Sequence, residues 1–154
     1  MTKQPVCTVK VRAGRDHGRR AVGFLDYEQV GYVDIGQAFE RLSTNEKLHF
    51  KTSFDYWISG IDNKPDRYHG WDRSEYGGKY QECFAFKNPP HRLYGFLCHP
   101  KEPEDKRFWM CVLILHAEKR KCKTEEKELS RAETMRRSVE VQSALKGIDW
   151  DEGV

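Results

Sequence analysis

The sequence predicts an α+β domain: an antiparallel sheet with a two-helix hairpin packed on one face and a helix closing the chain. Three observations carry this. Between Lys79 and His116, three strand-like runs follow one another, separated by proline-containing breaks. Ahead of them, two apolar stripes recur at helical spacing, and a third follows them. At 154 residues and 18.1 kDa, one domain over residues 1–154 is enough to bury a core unaided.

Taken in order, Val6 to Arg12 alternates, with Cys7, Val9 and Val11 on one face and Thr8, Lys10 and Arg12 on the other, as in a half-buried strand. Gly14 to Gly18 reads as a turn and Ala21 to Leu25 as the returning strand, so residues 1–27 form an N-terminal hairpin extension. Gly31 to Asp34 is a connection. Ile35, Ala38, Phe39 and Leu42 then make the stripe of a short helix with Asp34 as N-cap. Ser43 and Glu46 form the Ser-x-x-Glu capping box of a second helix, whose stripe is Phe50, Phe54, Trp57 and Ile58 and whose stop is Gly60. Such large side chains are read as core packing against the sheet, with a ligand-binding aromatic box as the alternative.

Asp62 to Gly78 lacks periodicity and reads as a long loop. Its Arg67, Tyr68, His69, Trp71, Arg73 and Tyr76 interleave cations with aromatics. That composition suits bases and phosphates; a loop pinned to the surface by aromatic anchors is the simpler reading. The first sheet strand runs over Tyr80 to Phe86 and is broken by Asn88-Pro89-Pro90, where two prolines remove ladder donors. The second covers Arg92 to Cys98. The third, Phe108 to Leu115, is apolar at every position and must be covered on both faces. A buried helix segment is the competing reading, and the Val and Ile content and short length favour a strand. Thr124 caps a final helix with Glu125, Glu126 and Glu128 in its first turn and Leu129, Ala132, Met135, Val139 and Leu145 as its stripe, ending at Gly147.

Charge is unevenly placed. The net charge is +3, but Arg107 to Lys123 alone carries +4 and Arg12 to Arg20 carries +3, leaving −4 for the remainder. Four cations fill the five positions Lys119 to Lys123, directly after the apolar strand. They cannot enter a core, so they emerge at the sheet rim, where a local cationic field attracts phosphodiester backbones. A solvated strand end leading into a charged helix is the plain alternative. His116 is the one side chain of this segment that titrates near neutrality, which makes it a candidate for acid/base work. Its alternative is a strand-end histidine satisfied by a backbone carbonyl.

Five cysteines, an odd number with no CxxC pair, read as free thiols in strands; with no signal-peptide pattern they point to a reduced, cytoplasmic compartment. The longest apolar run is far too short to span a bilayer. Neither the cysteines nor the histidines show paired ligand spacing, so no metal and no cofactor is expected.

His91-Arg-Leu-Tyr-Gly-Phe, then Leu113-Ile-Leu-His-Ala-Glu-Lys-Arg-Lys-Cys-Lys-Thr124, then Glu128-Leu-Ser-Arg-Ala-Glu-Thr-Met-Arg136 resemble three successive patterns of the RelE/HigB toxin superfamily, in particular its phage-associated HigB-like branch. These are the strand carrying an arginine, the aliphatic strand ending in paired cations before a threonine, and the closing helix. The likeness covers a core over residues 32–137; the hairpin up to about Leu25 has no counterpart, and Glu118 stands where the family often has an aromatic.

The resemblance implies a RelE-like fold and a toxin of a type II toxin–antitoxin system. Such a toxin is a ribosome-dependent mRNA endonuclease, silenced by a cognate antitoxin. In that chemistry the ribose 2′-hydroxyl attacks its own adjacent phosphate, so no metal is needed. The protein aligns the strand, moves protons and stabilises charge. Carried over residue by residue, Arg92 is the phosphate clamp, and Lys119 and Arg120 stabilise the developing charge. Beyond that carry-over, this chain's own residues offer His116 for the proton, Tyr94 to stack on a base, and Lys121 and Lys123 to bind RNA. A non-catalytic phage or mobile-element protein binding nucleic acid or protein through the same rim is the alternative.

Overall fold

Covering both faces of one strand takes two helical layers, and this chain supplies both. The computed structural model describes residues 7–14, 19–27, 34–100, 109–118 and 126–148. In chain order these form β1 (Cys7–Ala13), β2 (Arg20–Tyr27), α1 (Ile35–Glu40), α2 (Thr44–Ile58), β3 (Tyr68–Gly70), β4 (Cys83–Asn88), β5 (His91–Cys98), β6 (Trp109–Glu118), α3 (Glu126–Arg137) and α4 (Val139–Lys146). The six strands make one sheet in the order β1-β2-β6-β5-β4-β3.

The hairpin α1/α2 packs on one face, as expected. Phe39, Phe50, Phe54 and Trp57 meet Phe24, Phe86, Leu93, Cys111 and Leu113 there. Helices α3 and α4 cover the other face, where Leu129, Ala132, Val141 and Leu145 meet Leu25, Tyr94, Phe96, Met110, Val112 and Ile114. The unbroken apolar run is thereby explained: alternate residues of β6 face alternate helical layers, and Met110 to Ile114 are fully buried.

The sheet is not purely antiparallel. β2 pairs with β6 in parallel, Arg20 opposite Trp109 and Phe24 opposite Leu113, whereas every other junction is antiparallel. Parallel neighbours need a long crossover, here everything between β2 and β6, and an apolar strand pattern does not say which neighbour or direction it takes. The strand expected from Tyr80 begins at Cys83; Tyr80 lies in the preceding turn, its hydroxyl donating to Glu126 at 3.0 Å. The single closing helix is two, because Ser138 caps α4 by accepting from the Val141 N–H at 3.2 Å. Phe108, Thr124 and the tail from residue 149 lie outside the described residues. The stretch 62–78, expected as one loop, is not all loop: Tyr68–Gly70 forms the edge strand β3, antiparallel to β4 with Tyr68 opposite Phe86, and its pairing partner leaves no mark in the local sequence. The stretch is anchored by its aromatics. Tyr68 and Trp71 are buried, the Tyr68 hydroxyl donates to the Ile61 carbonyl, and Arg67 donates to Ser53 Oγ at 3.0 Å.

One irregularity governs the rim. The β5/β6 register runs Tyr94 opposite Leu115 and then Gly95 opposite Leu113, so Ile114 is an extra residue in β6. Ile114 and Leu115 consequently both belong to the α3/α4 core, and the alternation of β6 is reversed beyond this bulge. Gly95 makes the bulge possible: a Cβ there would strike the Val112 carbonyl and come within 2.7 Å of Leu113 Cα. Gly95→Ala should therefore cost at least about 2 kcal/mol of stability. Urea unfolding of the two proteins checks this, and an unchanged midpoint would mean that the bulge does not need the glycine.

Candidate functional site at the sheet rim

The end of β6, the start of β5, the end of β4 and the first turn of α2 meet at one rim of the sheet. Register decides what each face of that rim carries, because antiparallel partners share a face. Arg92 pairs with Lys87 on one side and Ala117 on the other, and faces the α3/α4 layer as Tyr94 does. His91 and His116 lie on the opposite face, His116 opposite Leu93 of the α1/α2 core.

On the Arg92 face, two cations stand side by side. Lys87 is held below the usual lysine range by partial burial and by the Arg92 guanidinium, with Asp66 opposing. His69 of β3 looks onto the same pair. Burial, then Lys87 and Arg92, keep its imidazole below the ordinary histidine value and so neutral at pH 7. Behind them Trp71 stands edge-on to His69 at 4.6 Å and stacks on Tyr94 at 6.3 Å. Tyr94 is fully buried and its ring lies against the protein's own Trp71, so it is not placed to stack on a base as the sequence reading had it. Its hydroxyl is pushed up, first by burial. The signal missed in the sequence was alternation: positions 92 and 94 share a face, and the core claims the aromatic.

On the α2 face, a hydrogen-bonded chain runs from helix to strand. Glu46 Oε2 lies 2.8 Å from His91 Nε2, and His91 Nδ1 lies 2.9 Å from His116 Nε2. Glu118 Oε1 is 3.7 Å from His91 Nδ1. Glu46 is fixed by the capping box, its Oε1 accepting from the Ser43 N–H at 2.8 Å while its own N–H donates to Ser43 Oγ at 3.1 Å. His116 is thus satisfied by a second imidazole rather than by a backbone carbonyl. Its proton affinity is lowered by burial and by His91, against the pull of Glu118 and Glu46.

The structure does not bring Arg92 and His116 onto one face. Strict alternation from Met110 would have placed His116 with Arg92; the extra residue Ile114 turns it to His91 instead. Lys119, Arg120, Lys121 and Lys123 lie outside the described residues, directly after Glu118. Of the other basic cluster, Arg12 lies over the Phe24 ring at 4.6 Å, and Arg20 donates to the Trp57 carbonyl at 2.9 Å and pairs with Asp62 at 2.7 Å. Those two cations hold the hairpin to α1, α2 and the loop after them.

Among the described residues, no group of three or more His, Cys, Asp or Glu side chains is placed to hold a metal ion. The facing nitrogens of His91 and His116 sit at hydrogen-bond distance, whereas two imidazoles on one tetrahedral zinc at about 2.0–2.1 Å would stand roughly 3.3 Å apart. The described cysteines are free; burial pushes the Cys83 and Cys98 thiols up to about 12 and Cys7 to about 11, which leaves them poor nucleophiles. No described helix is long and apolar enough to cross a membrane. No family model, no curated protein and no solved structure matches the chain.

Three partly buried imidazoles, His69 and His116 of the rim and His49 of α2, make stability depend on pH. Burial holds His49, His69 and His116 below the ordinary histidine value in the folded chain. The unfolded chain therefore binds these protons first. Their contribution is complete above about pH 6.5 and is lost as the pH falls through their folded values. The urea midpoint should drop between pH 7.5 and 5.5, and His69→Gln should shrink that drop; equal midpoints at the two pH values would refute the assignment.

Proposed function

We propose that the protein is a metal-independent endoribonuclease acting on mRNA at the ribosome, the toxin of a type II pair held silent by a cognate antitoxin, on a RelE-like variant of the α+β fold. The observation that carries this is the Lys87/Arg92 pair, set across β4 and β5 at strand ends beside the end of β6, the strand that the run Lys119–Lys123 follows in the sequence. An ammonium beside a planar guanidinium suits adjacent phosphate oxygens, since the guanidinium holds two oxygens at once and the ammonium neutralises a third. Lys119 and Arg120 stabilise the charge that builds on the phosphate, and Lys121 and Lys123 hold the flanking backbone. His116 takes the proton, with the RNA passing over the rim between the two faces; His69, on the Arg92 face, is its rival for that role.

The second reading is a phage or mobile-element protein that binds nucleic acid or protein through this rim without cutting. The separation of Arg92 from His116 by the thickness of the sheet favours it.

Cleavage decides between them. Expression without an antitoxin should arrest growth and leave cut mRNAs on ribosomes. Arg92→Ala should lower the rate by about 10²–10³, and Arg92→Lys by less. Harmless expression with intact mRNA would leave only the binding reading. Binding itself should weaken steeply with added salt. Reversing charge at Lys119, Arg120 and Lys121 should weaken it far more than reversing Lys51, Lys79 and Lys127; equal losses would count against the rim.

A further inference from the structure

The hydrogen-bond chain on the α2 face has a direction that follows from its end. The Glu46 carboxyl is held below its usual range by the Ser43 backbone N–H, so it is ionised at neutral pH and can only accept. His91 Nε2, 2.8 Å away, therefore carries a hydrogen, and in the neutral ring Nδ1 is left as an acceptor. That atom faces His116 Nε2 at 2.9 Å, so the His116 hydrogen is on Nε2. His116 keeps a bare Nδ1, with no hydrogen-bond partner among the described residues, on a half-exposed ring three residues before Lys119. The two Glu46 oxygens divide the work: Oε1 closes the capping box and Oε2 holds His91. A packing role alone would not need the second ring.

We propose that Glu46 and His91 are positioning residues for His116, and that this chain makes His116 Nδ1 the acceptor of the proton from the attacking 2′-hydroxyl of RNA. The inference rests on the endoribonuclease reading of the rim. In the step, Nδ1 takes the hydroxyl proton and the 2′-oxygen bonds to the adjacent phosphorus. The bond to the 5′-oxygen breaks, and that oxygen takes a proton from water. The proton held on His116 then neutralises the hydroxide, and the products are a 2′,3′-cyclic phosphate and a 5′-hydroxyl. While His116 is an imidazolium, its charge faces His91 from β5, Glu118 from its own strand and, beyond His91, Glu46 from α2. Those are the groups a depressed proton affinity must be judged against.

The test pairs imidazole NMR of the full chain with cleavage rates across pH. In the wild type, His116 should show the tautomer with hydrogen on Nε2. Glu46→Gln keeps the side-chain volume and a residue that can serve the capping box, but removes the charge. It should lower the His116 protonation midpoint, move the acid limb of the rate profile down with it, and cut the plateau rate on the order of 10-fold with little change in KM. His91→Phe should erase the tautomer preference and cost at least as much, with thermal melts confirming that both variants fold. An unchanged tautomer and midpoint in both variants would overturn the chain. An acid limb that stays put while the His116 midpoint moves, or that follows His69→Gln instead, would overturn the acceptor role. Wild-type protein that cuts no RNA, with the expected tautomer in its spectra, would overturn the endoribonuclease reading and the acceptor role together, and leave the hydrogen-bond chain standing.

Discussion

A single extra residue in β6 is the constraint on which the rim depends. A strand commits each side chain to one face by parity, and the commitment extends along its whole length. Ile114 breaks the parity of β6 between the core and the rim. The core part keeps its strict division between two helical layers, and the last residues are free to present the opposite set. The tolerance comes from the neighbouring strand, where Gly95 leaves room for the Val112 carbonyl. The bulge therefore does two jobs that a regular ladder could not combine: it preserves packing at Met110–Leu113 and re-aims His116 toward α2.

The resulting rim is electrostatically two-sided. One face carries Lys87 and Arg92 with a neutral imidazole. The other carries Glu46, Glu118 and two imidazoles. Charges of opposite sign on opposite faces of a thin sheet partly screen one another at long range and act separately at contact distance. Glu118 belongs wholly to the acidic face; it sits opposite His91, away from Arg92.

Much of the frame was legible in the residues because its signals are local. The capping box at Ser43 and Glu46 can be read from four residues and is present with both hydrogen bonds. The stripes of α1 and α2 and the two-faced burial of β6 follow from periodicity alone. The parallel union of β2 with β6 did not, because strand pairing between distant segments leaves no trace in either segment. The bulge escaped for the same reason: Ile114 is as apolar as its neighbours, and only Gly95, across the ladder, marks the spot. With no local mark of the bulge, nothing in the sequence places His116 beside His91 and Glu46 rather than beside Arg92. The break at Ser138 was readable in principle, since a serine three residues ahead of Val141 is an N-cap signal that the charged stripe obscured.

The parallel junction also sets a timetable for the nascent chain. Strand β2 is buried on both faces, yet its partner along Arg20–Phe24 is Trp109–Leu113, near the far end of the sequence. At ordinary elongation rates of about 5–20 residues per second, β2 waits roughly 4–18 s for that partner to be synthesised. During that interval Ala21 to Leu25 have only β1 and the α1/α2 layer to cover them. The sheet cannot close, and neither face of the rim can assemble, until β6 has left the exit tunnel. Completion of the sheet is thereby tied to the synthesis of β6, with long-range closure as its slow step.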